Sequence, residues 1–229
     1  MPIRSVFFDV GETLVDETRM WGAWADALEV PRLTLFGLLG ATIARQEHHR
    51  QVFDHFGANR LARATDRMRS VEPLTPGDLY PDVLPCLSAL RSRGLFLGAA
   101  GNQPLALESA LVSAGIPLDV VGSSERWGVE KPSPEFFAHI IALAGVPPAE
   151  IAYVGDRVDN DVVPAAAAGM LAVFLRRGPW GFLQAEHPNA ARAHLRLDSL
   201  AALPQALEAY GVSCPLSVVS CRALRATDN

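Results

Sequence analysis

The chain has 229 residues, of which 49% are hydrophobic and 20% charged, a balance that is ordinary for a folded globular protein. Its formal net charge of −5 gives no electrostatic argument for a nucleic-acid or anionic-membrane partner. No apolar run approaches the roughly 18 residues that a membrane-spanning helix needs, and the length suits one large α/β unit or one core with a modest insertion.

The first predicted element is a short strand that ends at an acidic residue. Residues 3–8 form an apolar run that suits a strand covered on both faces, and Asp9 follows directly. The turn after it reads Val-Gly-Glu-Thr-Leu-Val-Asp, with glycine at position 11. A carboxylate at the end of a buried strand is costly to build, so Asp9 needs a functional explanation.

A helical block follows this turn. From about residue 17 to 78 the apolar residues recur at helical spacing, and no convincing strand interrupts them. The Pro/Gly-rich stretch 72–82 ends the block as a connector. We therefore predict an inserted all-helical domain over residues 16–79, with Trp21 and Trp24 in its core.

After residue 80 short helices alternate with apolar strands. The predicted helices 82–93, 104–114, 134–144 and 161–168 each stop at a glycine, and the predicted strands are 95–100, 118–123, 151–155 and 171–176. Such alternation is typical of a doubly wound parallel sheet. The prediction is an α/β core formed by residues 1–15 and 80–210, with a loosely attached tail over 211–229.

Polar residues cluster just past the predicted strand ends, where open α/β sheets place their functional groups. Asp9 and Asp156 end two different strands, and Lys131 is the single lysine among twenty basic residues. Carboxylates beside one compact ammonium are typical of a site that binds Mg²⁺ and a phosphate. Two alternatives stay open, because the lone lysine can be chance and the acids within 159–161 can be helix caps.

The cysteines and the first residues bear on the compartment. Cys86, Cys214 and Cys221 are odd in number and lack zinc spacing, which favours reduced thiols. The opening Met-Pro-Ile-Arg-Ser lacks the basic and apolar regions of a signal peptide. A cytoplasmic location is the expectation.

Four short motifs together resemble those of the haloacid dehalogenase (HAD) superfamily in order and spacing. They are Asp9-x-x-x-Thr13-Leu14, the strand-end turn at 101–102, Lys131 before Pro132, and Gly-Asp-Arg-Val-Asp-Asn-Asp at 155–161. The resemblance covers about residues 1–209 and implies a Rossmann-like core. The helical block lies where that superfamily inserts a helical cap between its first and second motifs.

The resemblance implies roles for the matched residues. Asp9 is the expected nucleophile, which takes up a phosphoryl group as an aspartyl phosphate. Lys131 is expected to steady both nucleophile and phosphate, and Thr13, Gly101 and Asn102 are expected to hold the phosphate.

The resemblance also implies Mg²⁺ as the cofactor. Its expected protein ligands are the carboxylates of Asp9 and Asp156 and the backbone carbonyl of Gly11. Asp161 is expected to support the metal site without contacting the metal directly.

Two positions depart from the family pattern. Most phosphatases of the family carry an aspartate at the position of Gly11, which protonates the leaving alcohol and later activates water. Such a group contributes about 10²- to 10⁴-fold in rate. Gly101 stands where the family places Ser or Thr. Either the chemistry is slow and limited to good leaving groups, or another acid assists, with Glu12 the first candidate and a cap residue the second.

Three functions compete for this sequence. The favoured one is a Mg²⁺-dependent phosphatase of a small phosphorylated metabolite. A phosphate-ester binding protein with vestigial activity is the alternative, and a dehalogenase-like hydrolase is a weaker one, because Asp156 is unlike the metal-free dehalogenases. The expected partner is a small phosphorylated molecule, with neither nucleic acid nor membrane, and the chain is expected to be a monomer or homodimer.

Overall fold

A six-stranded parallel sheet lies at the centre of the structure, a computed structural model that describes residues 2–213. The strands are Ser5–Phe8 (β1), Phe96–Gly101 (β2), Val120–Ser123 (β3), Ile151–Gly155 (β4), Leu171–Leu175 (β5) and Leu195–Leu197 (β6). Their order across the sheet is β3-β2-β1-β4-β5-β6. The predicted α/β class with a doubly wound parallel sheet is confirmed.

Ten α-helices surround or extend from this sheet within residues 2–213. They are Thr18–Ala27 (α1), Arg32–Ala44 (α2), Ala58–Met68 (α3), Val83–Ser92 (α4), Leu105–Ser113 (α5), Ser124–Trp127 (α6), Pro134–Ala144 (α7), Val163–Ala167 (α8), Gly178–Gln184 (α9) and Leu203–Ser213 (α10). Short 3₁₀ turns cover His49–Phe56, Pro76–Asp78, Pro148–Glu150, Pro188–Arg192 and Leu200–Ala202, and a π-helical turn covers Val158–Val162.

Both faces of the sheet are buried, because successive side chains of a strand point to opposite faces. Val6 and Phe8 lie in one apolar cluster with residues of α4 and α10. Phe7 lies in the other, against Phe136 and Phe137 of α7. All four β1 residues are buried, so this central strand fixes the position of whatever follows Phe8.

The helices between β1 and α4 form an apolar cluster of their own. Leu28, which follows α1, Leu35 of α2 and Val52 are fully buried in it. The indole of Trp24 lies against Phe53, with ring centroids 4.7 Å apart. Trp180 of α9 belongs to the same cluster, so the helical block packs on the core beside the end of β5. Residues 18–68 contain helices and turns as predicted, while the domain boundaries at 16 and 79 stay predictions.

The sequence-based prediction does not contain β6, α6, α9 or α10, and it places the start of α8 differently. β6, Leu195–Leu197, pairs in parallel with β5, and a three-residue strand is too short to show a period. The predicted helix 161–168 starts earlier, with a π-helical turn at Val158–Val162 that precedes α8. Pro164 lacks an N–H group, so the regular i→i−4 pattern cannot run through the start of this helix.

Of the tail predicted for 211–229, residues 211–213 end α10, and the rest lie outside the described residues together with Cys214 and Cys221. Cys86 is a free, buried thiol. Among the described helices none is by itself long and apolar enough to cross a membrane, and α1 and α2 reach that length and composition only as a pair bent by 114°.

Candidate active site

The predicted site residues meet at the carboxyl edge of the sheet. Asp9 follows β1, Gly101 ends β2 and Asp156 follows β4. Phe8 pairs with Ala99 on one side and Val154 on the other, so all three positions lie next to one another across the sheet. The chain reverses its winding direction at β1, which is where open α/β sheets bind ligands.

Lys131 lies between two of the acids. Its Nζ is 2.7 Å from Asp9 Oδ1 and 2.7 Å from Asp161 Oδ1, and the residue is 4% exposed. Burial disfavours the ammonium, but the carboxylates of Asp161 and Asp9 outweigh it and hold the pKa of Lys131 well above its ordinary value. The single lysine of the chain is therefore a fixed positive charge against the predicted nucleophile.

The backbone of Lys131 is held by Asn102. The Asn102 side-chain amide donates to the Lys131 carbonyl at 2.9 Å, and the Lys131 N–H donates to Asn102 Oδ1 at 2.7 Å. This pair of hydrogen bonds joins the loop after β2 to the loop before α7. The side chain of Asn102 thus positions Lys131, and its predicted contact with phosphate stays a prediction.

Asp161 has both carboxylate oxygens in use. Oδ1 accepts from Lys131 Nζ, and Oδ2 accepts from the Arg157 N–H at 2.9 Å. The π-helical turn thus puts Asp161 one layer behind the sheet edge, in contact with the lysine. Its carboxylate also accepts from an N–H at the start of the π-helical turn, while its assisting role toward a metal stays a prediction.

The acids of the site fit a divalent cation. Carboxylate oxygens of Asp9, Asp156 and Asp161 all lie within 4.8 Å of one another. Asp156 Oδ2 is buried and has no hydrogen-bond partner among the described residues. Burial, and then the charges of Asp161 and Asp9, raise the pKa of Asp156 well above its ordinary value. A cluster of hard oxygen donors with one unsatisfied buried carboxylate suits Mg²⁺.

The two remaining predicted phosphate contacts differ in their surroundings. A Cβ added at Gly101 would lie 2.7 Å from Asp9 Oδ1, so a larger residue here would require the Asp9 carboxylate to shift. Thr13 is fully buried, and its Oγ1 has no hydrogen-bond partner among the described residues. Thr13 is not one of the residues that line the cavity at the sheet edge.

Both carboxylate oxygens of Glu12 accept hydrogen bonds from neighbouring residues. Its backbone has φ +54°, Oε2 accepts from the Tyr80 hydroxyl at 2.6 Å, and Oε1 accepts from the Glu17 N–H at 3.0 Å. The guanidinium of Arg177 lies 4.1 Å from the centre of the Tyr80 ring. Glu12 therefore ties the turn after β1 to the connector that follows the helical block and to the start of α1.

Glu17 is the acid that the sequence reasoning missed. It precedes α1, and Trp21 Nε1 donates to its Oε2 at 3.1 Å. A Cβ added at Gly11 would lie only 2.7 Å from Glu17 Oε1. Burial, followed by the charge of Glu12, raises the pKa of Glu17 to about 7. The available signal was a glycine at an expected acid position with another acid six residues later, but only the folded turn shows that they meet.

A cavity of about 160 Å³ opens over these groups. Its floor includes Asp9, Lys131 and Asp156, and residues of the helical block and of α9 close it from above, namely Glu17, Trp21, His49 and Trp180. The Trp21 and Trp180 rings lie edge-on to the His49 imidazole at 6.1 and 5.8 Å between centroids. The cavity has one aromatic wall and is large enough to hold a small molecule.

Comparison with known proteins yields a family match and several relatives. A family model for haloacid dehalogenase-like hydrolase matches residues 3–169. A glyceraldehyde 3-phosphate phosphatase of Methanopyrus kandleri is 44% identical over 105 residues, which cover 44% of this chain and 45% of that protein. A phosphoserine phosphatase of Thermus thermophilus is 36% identical over 137 residues, 58% of this chain and 51% of that protein. The chain thus spans about half the length of these curated relatives.

Solved structures show the same fold. The HAD phosphatase from Thermococcus onnurineus has a TM-score of 0.60 and 23% identity, covering 90% of this chain and 98% of that one. The L-2-haloacid dehalogenase from Xanthobacter autotrophicus has a TM-score of 0.68 and 21% identity, covering 90% and 98%. One fold carries both chemistries, so the fold alone does not select between them. Since the family model matches most of its length, the chain belongs to the haloacid dehalogenase-like hydrolases.

Proposed function

We propose that the chain is a Mg²⁺-dependent phosphatase of a small phosphorylated metabolite, with Asp9 as the nucleophile. The observation that carries the proposal is the buried ion pair between Asp9 Oδ1 and Lys131 Nζ beside the unpartnered carboxylate of Asp156. Relatives named as phosphatases of glyceraldehyde 3-phosphate and phosphoserine support a phosphate ester as the substrate class.

In the first step an Asp9 oxygen attacks phosphorus, and the bond between phosphorus and the leaving oxygen breaks. A carboxylate about 4 Å from a phosphate oxygen is repelled by about 4 kcal/mol per charge pair at an effective dielectric constant of 20. Lys131 Nζ, at 2.7 Å from Asp9 Oδ1, offsets part of this repulsion. Asp161 keeps the ammonium in place from the other side.

Mg²⁺, when bound, would neutralise phosphate charge at this site. Asp9 and Asp156 would hold it with their carboxylates and Gly11 with its backbone carbonyl. Asp161, with both oxygens engaged by Lys131 and Arg157, would orient the lysine. In the second step water attacks the phosphorus of the aspartyl phosphate, which frees Asp9 and releases orthophosphate.

One observation favours the alternative, a phosphate-ester binding protein with vestigial activity. Gly11 and Gly101 remove two side chains that the family pattern supplies at the site. Dehalogenase-like hydrolysis stays the weaker alternative, because Asp156 adds a buried carboxyl group that a metal-free mechanism does not need.

The test combines substrates, metal and one variant. Wild-type protein, Asp9→Asn, and Asp66→Asn as a control at an exposed cap aspartate are assayed on p-nitrophenyl phosphate, a panel of phosphorylated metabolites and haloacetate, with Mg²⁺ or EDTA. We expect Mg²⁺-dependent phosphate release that Asp9→Asn abolishes and Asp66→Asn keeps. Tight binding without turnover would favour the vestigial binder, and metal-independent halide release would favour the dehalogenase.

The partner and location stay predictions: a small phosphorylated molecule, no nucleic acid or membrane, a monomer or homodimer, and the cytoplasm.

A further inference from the structure

The geometry points to Glu17 as the group that protonates the leaving oxygen and then activates the attacking water. This inference rests on the proposed phosphatase function and assigns its missing acid and base. Glu17 lies on the first residues of the helical block, not on the turn that carries Asp9, so the helical block itself completes the catalytic site.

The reaction needs such a group. An alkoxide is a poor leaving group, and its departure is accelerated when a positioned acid donates a proton as the bond breaks. The same group, once deprotonated, can take a proton from water in the second step. Of the described residues that line the cavity, four are carboxylic acids, namely Asp9, Glu12, Glu17 and Asp156.

Three of these four acids have other tasks. Asp9 is the nucleophile, and Asp156 is a proposed metal ligand. Glu12 accepts from the Tyr80 hydroxyl through one oxygen and from the Glu17 N–H through the other. Glu17 uses only Oε2 in a hydrogen bond from Trp21, which leaves Oε1 facing the turn of Gly11.

His49 is the other cavity residue that could exchange a proton. Burial, and then the charges of His48, Arg157 and Arg50, lower the pKa of His49 to about 4, so the imidazole is neutral at pH 7. Its ring lies edge-on to the Trp21 and Trp180 rings, and a neutral imidazole is not the acid that the leaving oxygen needs.

The position of the Glu17 carboxylate depends on glycine at residue 11. A Cβ there would lie 2.7 Å from Oε1 and 3.0 Å from the carboxyl carbon, so a side chain at residue 11 and the Glu17 carboxylate compete for the same space. Glu17 therefore fills the space that an aspartate side chain at residue 11 would take. Such an aspartate would project from the turn two residues after the nucleophile.

The proton and bond changes balance over the two steps. As Asp9 attacks phosphorus, the phosphorus–oxygen bond to the leaving group breaks, and the Glu17 carboxyl proton moves to that oxygen to give the alcohol. The Glu17 carboxylate then takes a proton from water as the water oxygen attacks phosphorus. The bond from phosphorus to Asp9 breaks, orthophosphate leaves, and Glu17 is protonated again.

The first test compares two leaving groups, because only an alkyl leaving group needs a proton in the first step, while both substrates need activated water in the second. Glu17→Gln keeps the shape and can still accept from Trp21, but it cannot transfer the proton. On an alkyl phosphate we expect turnover to fall by about 10²- to 10⁴-fold. On p-nitrophenyl phosphate we expect the pre-steady-state burst of nitrophenolate to remain, because that leaving group departs unprotonated, while the steady-state rate after the burst falls. Glu29→Gln, at an exposed cap glutamate paired with Arg67, is the matched control.

A second readout detects the covalent intermediate. Because water is no longer activated, Glu17→Gln should accumulate phosphorylated protein during turnover of the aryl phosphate. Intact-mass spectrometry of quenched samples measures the phosphorylated fraction in wild type, Glu17→Gln and His49→Gln. Accumulation in His49→Gln with none in Glu17→Gln would overturn the assignment.

A rescue variant guards against a folding defect. Gly11 is not among the described glycines with positive φ, so its backbone accepts a side chain once Glu17 is shortened. We expect Glu17→Ala/Gly11→Asp to recover at least about tenfold in alkyl phosphate turnover over Glu17→Ala. A folded double variant without recovery overturns the assignment even where Glu17→Gln misfolds.

The outcomes also separate this inference from the proposed function. If wild type turns over phosphates through Asp9 and Glu17→Gln retains full alkyl turnover, the assignment of Glu17 is wrong and the phosphatase stands. If wild type and Asp9→Asn are equally inert on every phosphate, the proposed function is wrong, and the role of Glu17 is overturned with it.

Discussion

Asp9 lies at a buried strand end with the ammonium of Lys131 against it. The ammonium is 2.7 Å from Asp9 and 2.7 Å from Asp161, with the rings of Tyr153 and Phe136 at 5.6 and 6.0 Å from Nζ. A compact ammonium can lie between two acids inside an aromatic wall, whereas a planar guanidinium needs more room and a different hydrogen-bond geometry. This explains a lysine in a chain that otherwise uses only arginine.

We therefore predict that Lys131→Arg lowers turnover by at least about tenfold although the charge is kept. Overpacking of this buried site should also cost about 1–3 kcal/mol of unfolding free energy, measured by chemical denaturation. Arg67→Lys, the reverse exchange at an exposed ion pair, is the control and should change little. Unchanged turnover in Lys131→Arg would mean that charge alone matters at this position.

Gly11 and Glu17 form a second pair at the residue scale. From the family pattern alone, an aspartate at residue 11 combined with Glu12→Gly is expected to raise the turnover of alkyl phosphates. The structure changes that expectation, since the new Cβ would lie 2.7 Å from Glu17 Oε1 and bring two carboxylates together. Replacing Glu12 would also remove its hydrogen bonds with Tyr80 and the Glu17 N–H.

We predict that Gly11→Asp alone is destabilised by about 1–3 kcal/mol and gains nothing on alkyl phosphates, because Glu17 must move away. Denaturation curves and kcat on an alkyl phosphate check both parts. A stable single variant with tenfold higher alkyl turnover would show that Glu17 does not already fill this role.

At the scale of elements, the turn after β1 is fixed by contacts from far along the chain. The backbone of Glu12 has φ +54°, a conformation that residues other than glycine rarely adopt. The Tyr80 hydroxyl and the Glu17 N–H donate hydrogen bonds to its carboxylate. Arg177, at the start of α9, stacks on Tyr80 and donates to the Thr13 carbonyl at 3.0 Å. These contacts connect the helical block, the connector and the segment after β5 to the turn that follows Asp9, the proposed nucleophile.

Tyr80→Phe tests this connection. Removing the hydroxyl leaves Glu12 Oε2 without its donor, so we predict a loss of about 1–3 kcal/mol in unfolding free energy. Tyr210→Phe, on α10 and away from the cavity, is the matched control and should stay within about 0.5 kcal/mol of wild type. Equal losses in the two variants would argue against a structural role for the Glu12–Tyr80 hydrogen bond.

The elements that the sequence predicts well are those with a strong period. β4 and α7 match their predicted ranges of 151–155 and 134–144 because an apolar run, a glycine stop and a Pro-containing helix start mark them locally. The π-helical turn at Val158–Val162 and the short β6 depend on tertiary contacts, so no local pattern shows them. For the same reason Asp9 and Asp156 could be predicted from strand ends and Lys131 as the single lysine, while Glu17 could not.

At the scale of the whole molecule, the site brings together distant parts of the chain. Asp9, Lys131 and Asp156 come from three separate loops of the core, and Glu17 and Trp21 come from the helical block. Trp180 joins the apolar cluster of that block to α9. The fold therefore gathers acids whose mutual repulsion Lys131 offsets in part, and the proposed Mg²⁺ would offset more of it.

This balance predicts opposite effects of one substitution with and without metal. In EDTA, Asp156→Asn should be at least as stable as wild type, because it removes a buried, unpartnered carboxylate from a group of three acids. Saturating Mg²⁺ should stabilise wild type by about 2.7 kcal/mol at a hundredfold excess over Kd, and the variant much less.

Thermal unfolding at several Mg²⁺ concentrations measures this effect without any substrate. Asp159→Asn is the matched control, because Asp159 pairs with Arg157 and its stability change should not depend on Mg²⁺. Equal Mg²⁺ stabilisation of wild type and Asp156→Asn would remove Asp156 from the proposed metal ligands.

The most direct test of the central claim is to find where the phosphoryl group resides during turnover. Wild type and Glu17→Gln are mixed with p-nitrophenyl phosphate and Mg²⁺, quenched in acid, treated with borohydride to reduce any acyl phosphate, and digested for peptide mass spectrometry. The account predicts a reduced residue at Asp9 in the peptide that contains Gly11 and Glu12, with a higher yield in Glu17→Gln. Phosphate release from wild type with no modification at Asp9 in either protein would contradict it.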